Sequence, residues 1–152
     1  MEIKQISENK KQYLPLLLLG DEQEDMIDRY LPRGVMYALC DGNVKAVCVV
    51  TDEGGGVLEL KNIAVLPECQ GKGYGRALID FLCARYAGKY DVLQAGTGDS
   101  PLTVPFYERC GFVRSHVVRD FFTAHYDHPI VEGGVLLRDM VYLRRPLGKG
   151  EA

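Results

Sequence analysis

The chain has 152 residues, 47% of them hydrophobic, enough for one globular domain with a core of its own. With 18 Lys and Arg against 21 Asp and Glu, the net charge is −3, which excludes a polybasic nucleic-acid surface. The apolar cluster at residues 14–19 is short and broken by Pro15, unlike a signal peptide or a membrane span.

Five cysteines (Cys40, Cys48, Cys69, Cys83, Cys110) are odd in number and form no C-x-x-C pair, which reads as reduced thiols. The expectation is a single cytoplasmic domain over residues 1–152, with no nucleic-acid partner, no membrane partner and no metal.

"EIKQI" alternates as a first strand. Ser7 ahead of "ENKKQYLPLLLL" predicts a capped helical turn or two, interrupted at Pro15. Residues 21–31, "DEQEDMIDRYL", predict a second helix with acids in its first turn, ended by Pro32-Arg33-Gly34. "VMYALC" and "VKAVCVVTD" flank Asp41-Gly42-Asn43 as a hairpin. After the loop at 53–56, residues 57–65 alternate as a strand and run on to Pro67. The helix beyond the glycines places Tyr74, Ala77, Leu78, Phe81, Leu82 and the stem of Arg85 on its buried face. Residues 90–98 predict a strand and 104–110 a short helix closed by Gly111. Two last strands, 112–122 and 135–145, surround a loop at 123–134. The order β-α-α-β-β-β-α-β-α-β-β describes an α/β domain with a mixed sheet.

Within "LPECQGKGYGRALIDFL", Gly71, Gly73 and Gly75 stand where a helix begins. Glycine suits tight turns and close approach to a ligand, and a helix N-terminus offers free N–H groups to an anion. A Walker loop needs G-x-x-x-x-G-K-[ST], which these glycines do not fit. A dinucleotide fingerprint needs glycine at 76, where Arg76 stands, and belongs near the first strand. The pattern met is Q-x-x-G-x-G: Gln70, Gly73 and Gly75 directly after a strand and Pro67.

On that motif, on "LKNIAVLPE" before it and on "FYERCGF" at 106–112, the sequence resembles the GNAT superfamily of N-acetyltransferases over nearly its whole length. The resemblance implies a mostly antiparallel mixed sheet of about seven strands with about four helices, splayed at the fourth strand. It implies acetyl-CoA as co-substrate, its pyrophosphate on the N–H groups of Gly71 to Arg76 with charge from Lys72 and Arg76, beside Gln70 and Tyr74. The pantetheine arm would lie along Ile63, Ala64 and Val65 like an extra strand. Many members carry Asn seven residues before the family tyrosine; here that position is Ser100, with its hydroxyl or Asp99 as the substitute. The implied partner is a small-molecule or protein amine acceptor, and a homodimer fits the same resemblance.

Acetyl transfer to an amine needs a neutral amine, a polarised carbonyl and a proton for the departing thiolate. Deprotonating a lysine-type ammonium at pH 7 costs about 4.6 kcal/mol, which a carboxylate acting through water offsets. Glu59 is the first choice, with Asp52 and Glu53 near it and a salt bridge to Lys61 as the competing reading. Glu59 and Lys61 share a strand face with Ile63 and Val65, so that face turns from polar to apolar, as a bulge or splay would explain. The resemblance assigns carbonyl polarisation to backbone N–H on this strand and thiolate protonation to Tyr107. It places the acceptor between the first helices, with Asp21, Glu22, Glu24, Asp25 and Asp28, and the last hairpin region, with Phe121, Phe122, His125, Tyr126 and His128. Acids with aromatics suit a cationic amine; acids at a helix start also serve simply as dipole complements. The class alternative is a domain of the same fold that binds acyl-CoA without catalysis.

Overall fold

In the computed structural model, which describes residues 1–149, alternating apolar residues build one seven-stranded sheet flanked by short helices. Strand β1 (Glu2–Ile6) is followed by a 3₁₀ turn and helices α1 (Leu14–Gly20) and α2 (Glu24–Ile27). Strands β2 (Val35–Asp41), β3 (Asn43–Asp52) and β4 (Val57–Val65) form a meander, and the β2–β3 turn is made by Gly42 at φ 79°. Helix α3 (Tyr74–Tyr86) crosses to β5 (Val92–Gly98), and α4 (Val104–Arg109) leads to β6 (Val113–Val118). Helix α5 (Phe121–His125), a small hairpin of β7 (Val131–Glu132) and β8 (Val135–Leu136), and β9 (Met140–Pro146) complete the described elements.

The sheet runs β1-β2-β3-β4-β5-β9-β6, antiparallel throughout except for the parallel pair β4–β5. On one face Leu78, Ile79 and Leu82 of α3 and Val104 and Tyr107 of α4 pack over Leu39, Leu58, Leu60 and Leu93. On the other, Leu16 and Leu17 of α1 with Ile27 and Tyr30 cover Met36, Val47, Val49 and Ala64.

Two irregularities of β4 shape the site. Val49 of β3 pairs with Asn62 while Val50 pairs with Leu60, so Lys61 is an extra residue, a β-bulge. The bulge reverses the alternation. Leu58 and Leu60 face the α3 core, and beyond Lys61 it is Ile63 and Val65 that do so, while Ala64 joins the α1 side. Glu59 therefore lies on the face opposite Ile63 and Val65, not on the shared face that simple alternation implies. The second irregularity is that β4 pairs with β5 only from Val57 to Leu60, against Val92 to Ala95. Past that point the two parallel strands part, which is the expected splay at the fourth strand.

Several elements differ from expectation for identifiable reasons. Pro15 sits in the first turn of α1 rather than interrupting a helix, because a proline needs no N–H partner there. No cap at Ser7 forms; the 3₁₀ turn follows Asn9, which has φ 48°. The second helix is only four residues long, and 28–33 continue as turns. The strand expected over 112–122 ends at Val118, where Asp120 at φ 58° redirects the chain into α5, a fifth helix across the end of that expected strand and the start of the expected loop. The strand expected over 135–145 is two pieces, β8 and β9. In α3, Ile79 is fully buried and Arg85 exposed, reversing their expected places.

Candidate active site

The turn before α3 has the form that a phosphate requires. Gly71 and Gly73 adopt φ 79° and 85°, a region that strains any side chain, although a Cβ at either would meet nothing within 4 Å. Cys69 and Gln70 N–H groups close onto Leu66 and Pro67, and the next backbone bond is Ala77 N–H to Gly73 O. The N–H groups of residues 71–76 thus have no backbone acceptor among the described residues. They open on a cavity of about 780 Å³, whose wall includes Ile63, Val65, Gln70, Gly71, Gly73, Tyr74, Gly75, Arg76 and Tyr107. Ala64, Lys72 and Ser100 are not on that wall. Ala64 is buried in the opposite core, Lys72 is exposed, and the Ser100 hydroxyl accepts the Leu102 N–H at 3.1 Å. The Arg76 guanidinium donates to Arg109 O at 3.2 Å and lies 3.9 Å from Asp80. Tyr74 donates to Asp41 at 2.8 Å.

Tyr107 enters the same cavity from α4, with its ring held edge-on between Phe106 and Phe112. Burial, with smaller contributions from Cys110 and Glu132, pushes its phenol well above the ordinary value, so it stays protonated. Its hydroxyl makes no hydrogen bond to another described side chain (distinct from Tyr37, Tyr74 and Tyr126, which all do), leaving the proton free for a ligand.

A second cavity, of about 360 Å³, lies on the other face and includes Asp21, Tyr30, Glu53, Glu59, Tyr126 and Tyr142 in its wall. The two cavities share Leu60, Lys61 and Gly96, the bulge and the point where β4 and β5 part. Gly96 is required there, because a Cβ would sit 2.8 Å from the Tyr142 ring.

Glu59 is buried and engaged on both oxygens: Lys61 Nζ lies at 2.6 Å, and Gln94 Nε2 donates at 2.6 Å. Gln94 is held in turn by Arg144 Nε, which donates to its Oε1 at 2.8 Å. Burial alone would raise the Glu53 carboxyl, but the Thr51 hydroxyl, Arg33 and Lys61 hold it below the usual range. Burial, with Glu59 and Glu53 beside it, pushes the Tyr142 phenol up to about 12. Asp21 is joined to Tyr126 Oη at 2.7 Å and Tyr30 Oη at 3.2 Å, and Tyr30 accepts from Asn62 Nδ2 at 3.1 Å. Tyr30, Asn62, Gln94, Tyr142 and Arg144 were not foreseeable as site residues; only the bulge signal on β4 hinted that its neighbours change faces.

A family model described as "Acetyltransferase (GNAT) domain" matches residues 32–114, which include β4, the glycine turn and Tyr107. The chain is 37% identical over 139 residues to the uncharacterized N-acetyltransferase YvbK of Bacillus subtilis (strain 168), covering 90% of each. It is similar in structure to an IAA acetyltransferase from Bacillus cereus ATCC 14579, at 34% identity and TM-score 0.89 over 96% of this chain and 99% of that one. A GNAT family acetyltransferase from Elizabethkingia anophelis with acetyl-CoA bound gives 30% identity and TM-score 0.90, over 96% and 97% of the two chains. A Bacillus subtilis acetyltransferase in complex with CoA gives 34% identity and TM-score 0.86, over 96% and 98%. The chain belongs to the GNAT acetyltransferase family. Membership makes it an acyltransferase with acetyl-CoA as co-substrate.

Proposed function

We propose that the protein transfers the acetyl group of acetyl-CoA to a primary amine by direct attack, with both substrates bound together, in the cytoplasm. The observation that carries this reading is the meeting of two cavities at Leu60, Lys61 and Gly96. A thioester entering from the glycine turn and an amine entering from the opposite face reach the same gap.

The chain's groups divide the work. The N–H groups of residues 71–76 and the dipole of α3 hold the pyrophosphate, with Gln70, Lys72, Tyr74 and Arg76 around it. Beyond Leu60 the edge of β4 facing β5 has no strand partner, so residues 63–65 can pair with the amides of the pantetheine arm. Backbone N–H at this splay polarises the carbonyl. As the amine lone pair forms the C–N bond and the C–S bond breaks, Tyr107 gives its proton to the sulfur. Glu59, oriented by Lys61 and Gln94, takes the amine's proton through water. The sum is an amide and a free CoA thiol, and exchange with solvent returns a proton to Tyr107 and removes the one on Glu59 before the next turnover.

The test is amine-dependent release of CoA thiol from acetyl-CoA. Release that needs a primary amine, with N-acetylated amine formed in equal amount, supports the reading. Tight CoA binding with no amine-dependent release across a chemically broad panel leaves only a binding domain.

A further inference from the structure

In the second cavity, two of the three carboxylates are matched by cations. Glu53 pairs with Arg33 at 2.9 Å and lies 3.8 Å from Lys61, and Glu59 pairs with Lys61 at 2.6 Å. Asp21 forms no ion pair among the described residues; the exposed Arg29 at the rim turns instead toward the Met26 sulfur at 3.5 Å. Only neutral donors hold Asp21: Tyr126 donates to Oδ1, Tyr30 to Oδ2, and the Gln23 backbone N–H adds a third hydrogen bond.

The position of Asp21 does not explain a charge there. It is not at a helix start but caps the C-terminal end of α1, where the dipole opposes a negative group. Its burial is the largest influence on its carboxyl and, with the nearby Asp25, raises it above the usual range despite hydrogen bonds from the two tyrosines and the Gln23 backbone. A partly buried carboxylate held by neutral donors at the unfavourable end of a helix is short of one positive charge. The surroundings suit a cation, because Tyr30, Phe121, Tyr126 and Tyr142 supply aromatic rings to the same cavity.

We propose that Asp21 is the binding site for a second cationic group of the acceptor, so that the favoured substrates are diamines or amines bearing another permanent positive charge. This rests on the transfer reading above. The geometry also orients such a molecule. A carboxylate stabilises a bound ammonium in its charged form, so the nitrogen at Asp21 keeps its proton and does not react. A diamine held there extends its other nitrogen toward the junction, where Glu59 is the proposed acceptor of the attacking amine's proton.

The experiment compares 1,5-diaminopentane with hexan-1-amine, which matches it in length but ends in a methyl group. Binding to the CoA-loaded protein is followed by calorimetry, and turnover by thiol release, for wild type and Asp21→Asn. The wild type is expected to favour the diamine about tenfold or more in both Kd and kcat/KM, and Asp21→Asn to bring that ratio close to one. Tyr126→Phe, which removes one of the two hydroxyls without touching the carboxylate, is expected to reduce the ratio only in part. A wild type without preference, or an Asp21→Asn protein that keeps it, overturns the inference. Asp21-dependent diamine binding without any acetylated product would instead overturn the transfer reading and leave the cation site standing.

Discussion

The two cavities that meet at Lys61 are built by opposite means. The cofactor side is made largely of backbone: a run of free N–H groups after Gln70 and one unpaired strand edge, with Tyr107 entering from α4. Apart from Leu19, Gly20 and Glu22, its parts lie between residues 60 and 132, most of them within consecutive stretches of chain. The acceptor side is made of side chains from five separate places: Asp21, Tyr30, Glu53 with Glu59, Tyr126 and Tyr142. A backbone site depends on a local conformation, and local conformation is written in glycine spacing. A side-chain site depends on which distant elements the topology brings together. The matched family span, residues 32–114, covers most of the first but leaves Asp21, Tyr30, Tyr126 and Tyr142 of the second outside it.

The largest predicted effect separates chemistry from binding on the cofactor side. Tyr107→Phe keeps the ring between Phe106 and Phe112 but removes the proton donor. Where the chemical step limits, turnover should fall about 10²- to 10⁴-fold, with acetyl-CoA affinity nearly unchanged in a direct titration. Near-normal turnover would return Tyr107 to a packing role.

Gly73→Val tests the backbone cradle itself. At φ 85° a β-branched residue is strained, by about 1–3 kcal/mol. The unliganded protein should melt several degrees lower. The stabilisation of about 2.7 kcal/mol expected from acetyl-CoA at roughly 100 times its Kd should also vanish. Differential scanning fluorimetry with and without acetyl-CoA reads both, and a variant that folds and still shows the full ligand shift contradicts the cradle.

Glu59→Gln probes the junction. Breaking its buried contact with Lys61 should cost about 2–3 kcal/mol in a denaturant titration, toward the low end because Lys61 keeps Glu53 beside it. Turnover should fall most at low pH and recover in part as pH rises, because more amine then arrives neutral. An unchanged pH–rate profile would move the proton acceptor elsewhere.

The smallest effect is on stability at Asp21. Its carboxyl titrates above the ordinary 3.8 when folded, so the native state holds this proton more tightly than the unfolded chain. The stability it contributes is full below that ordinary value and lost as pH rises through the raised one. At pH 7 the charged group therefore penalises folding, and Asp21→Asn should raise Tm by about 2–4 °C, the scale of ~1 kcal/mol in a chain of this size. The gain should shrink as pH falls toward 4. A lowered Tm at pH 7 would mean that the tyrosine hydrogen bonds outweigh the desolvation.

The sheet, α3, α4 and the glycine turn were legible because each has a local period or a turn signal: alternation in β2, β3 and β4, helical spacing from Tyr74, glycines at 71 and 73. Even the splay was legible, through the change from Glu59 and Lys61 to Ile63 and Val65. Its consequence was not. A one-residue bulge at Lys61 moves Glu59 to the far face, and register is a property of two strands, not of one. The region after Val118 was misread because one positive φ, at Asp120, converts an apolar run with strand character into α5. Phe121 and Tyr126, both expected on the acceptor side, reach the second cavity through that helix and its C-cap rather than through a strand. Asp21 stood in an acidic cluster whose ordinary explanation is a helix start, and only the early end of α1 shows that the explanation fails for it.

The most direct test of the account is the initial-rate pattern with acetyl-CoA and a competent amine both varied. In the proposed reading, two cavities that share one gap hold both substrates when the C–N bond forms. The account predicts intersecting lines in the double-reciprocal plot, with N-acetylated amine and CoA thiol formed one for one. Parallel lines with an acetylated protein recovered in the absence of amine would contradict it.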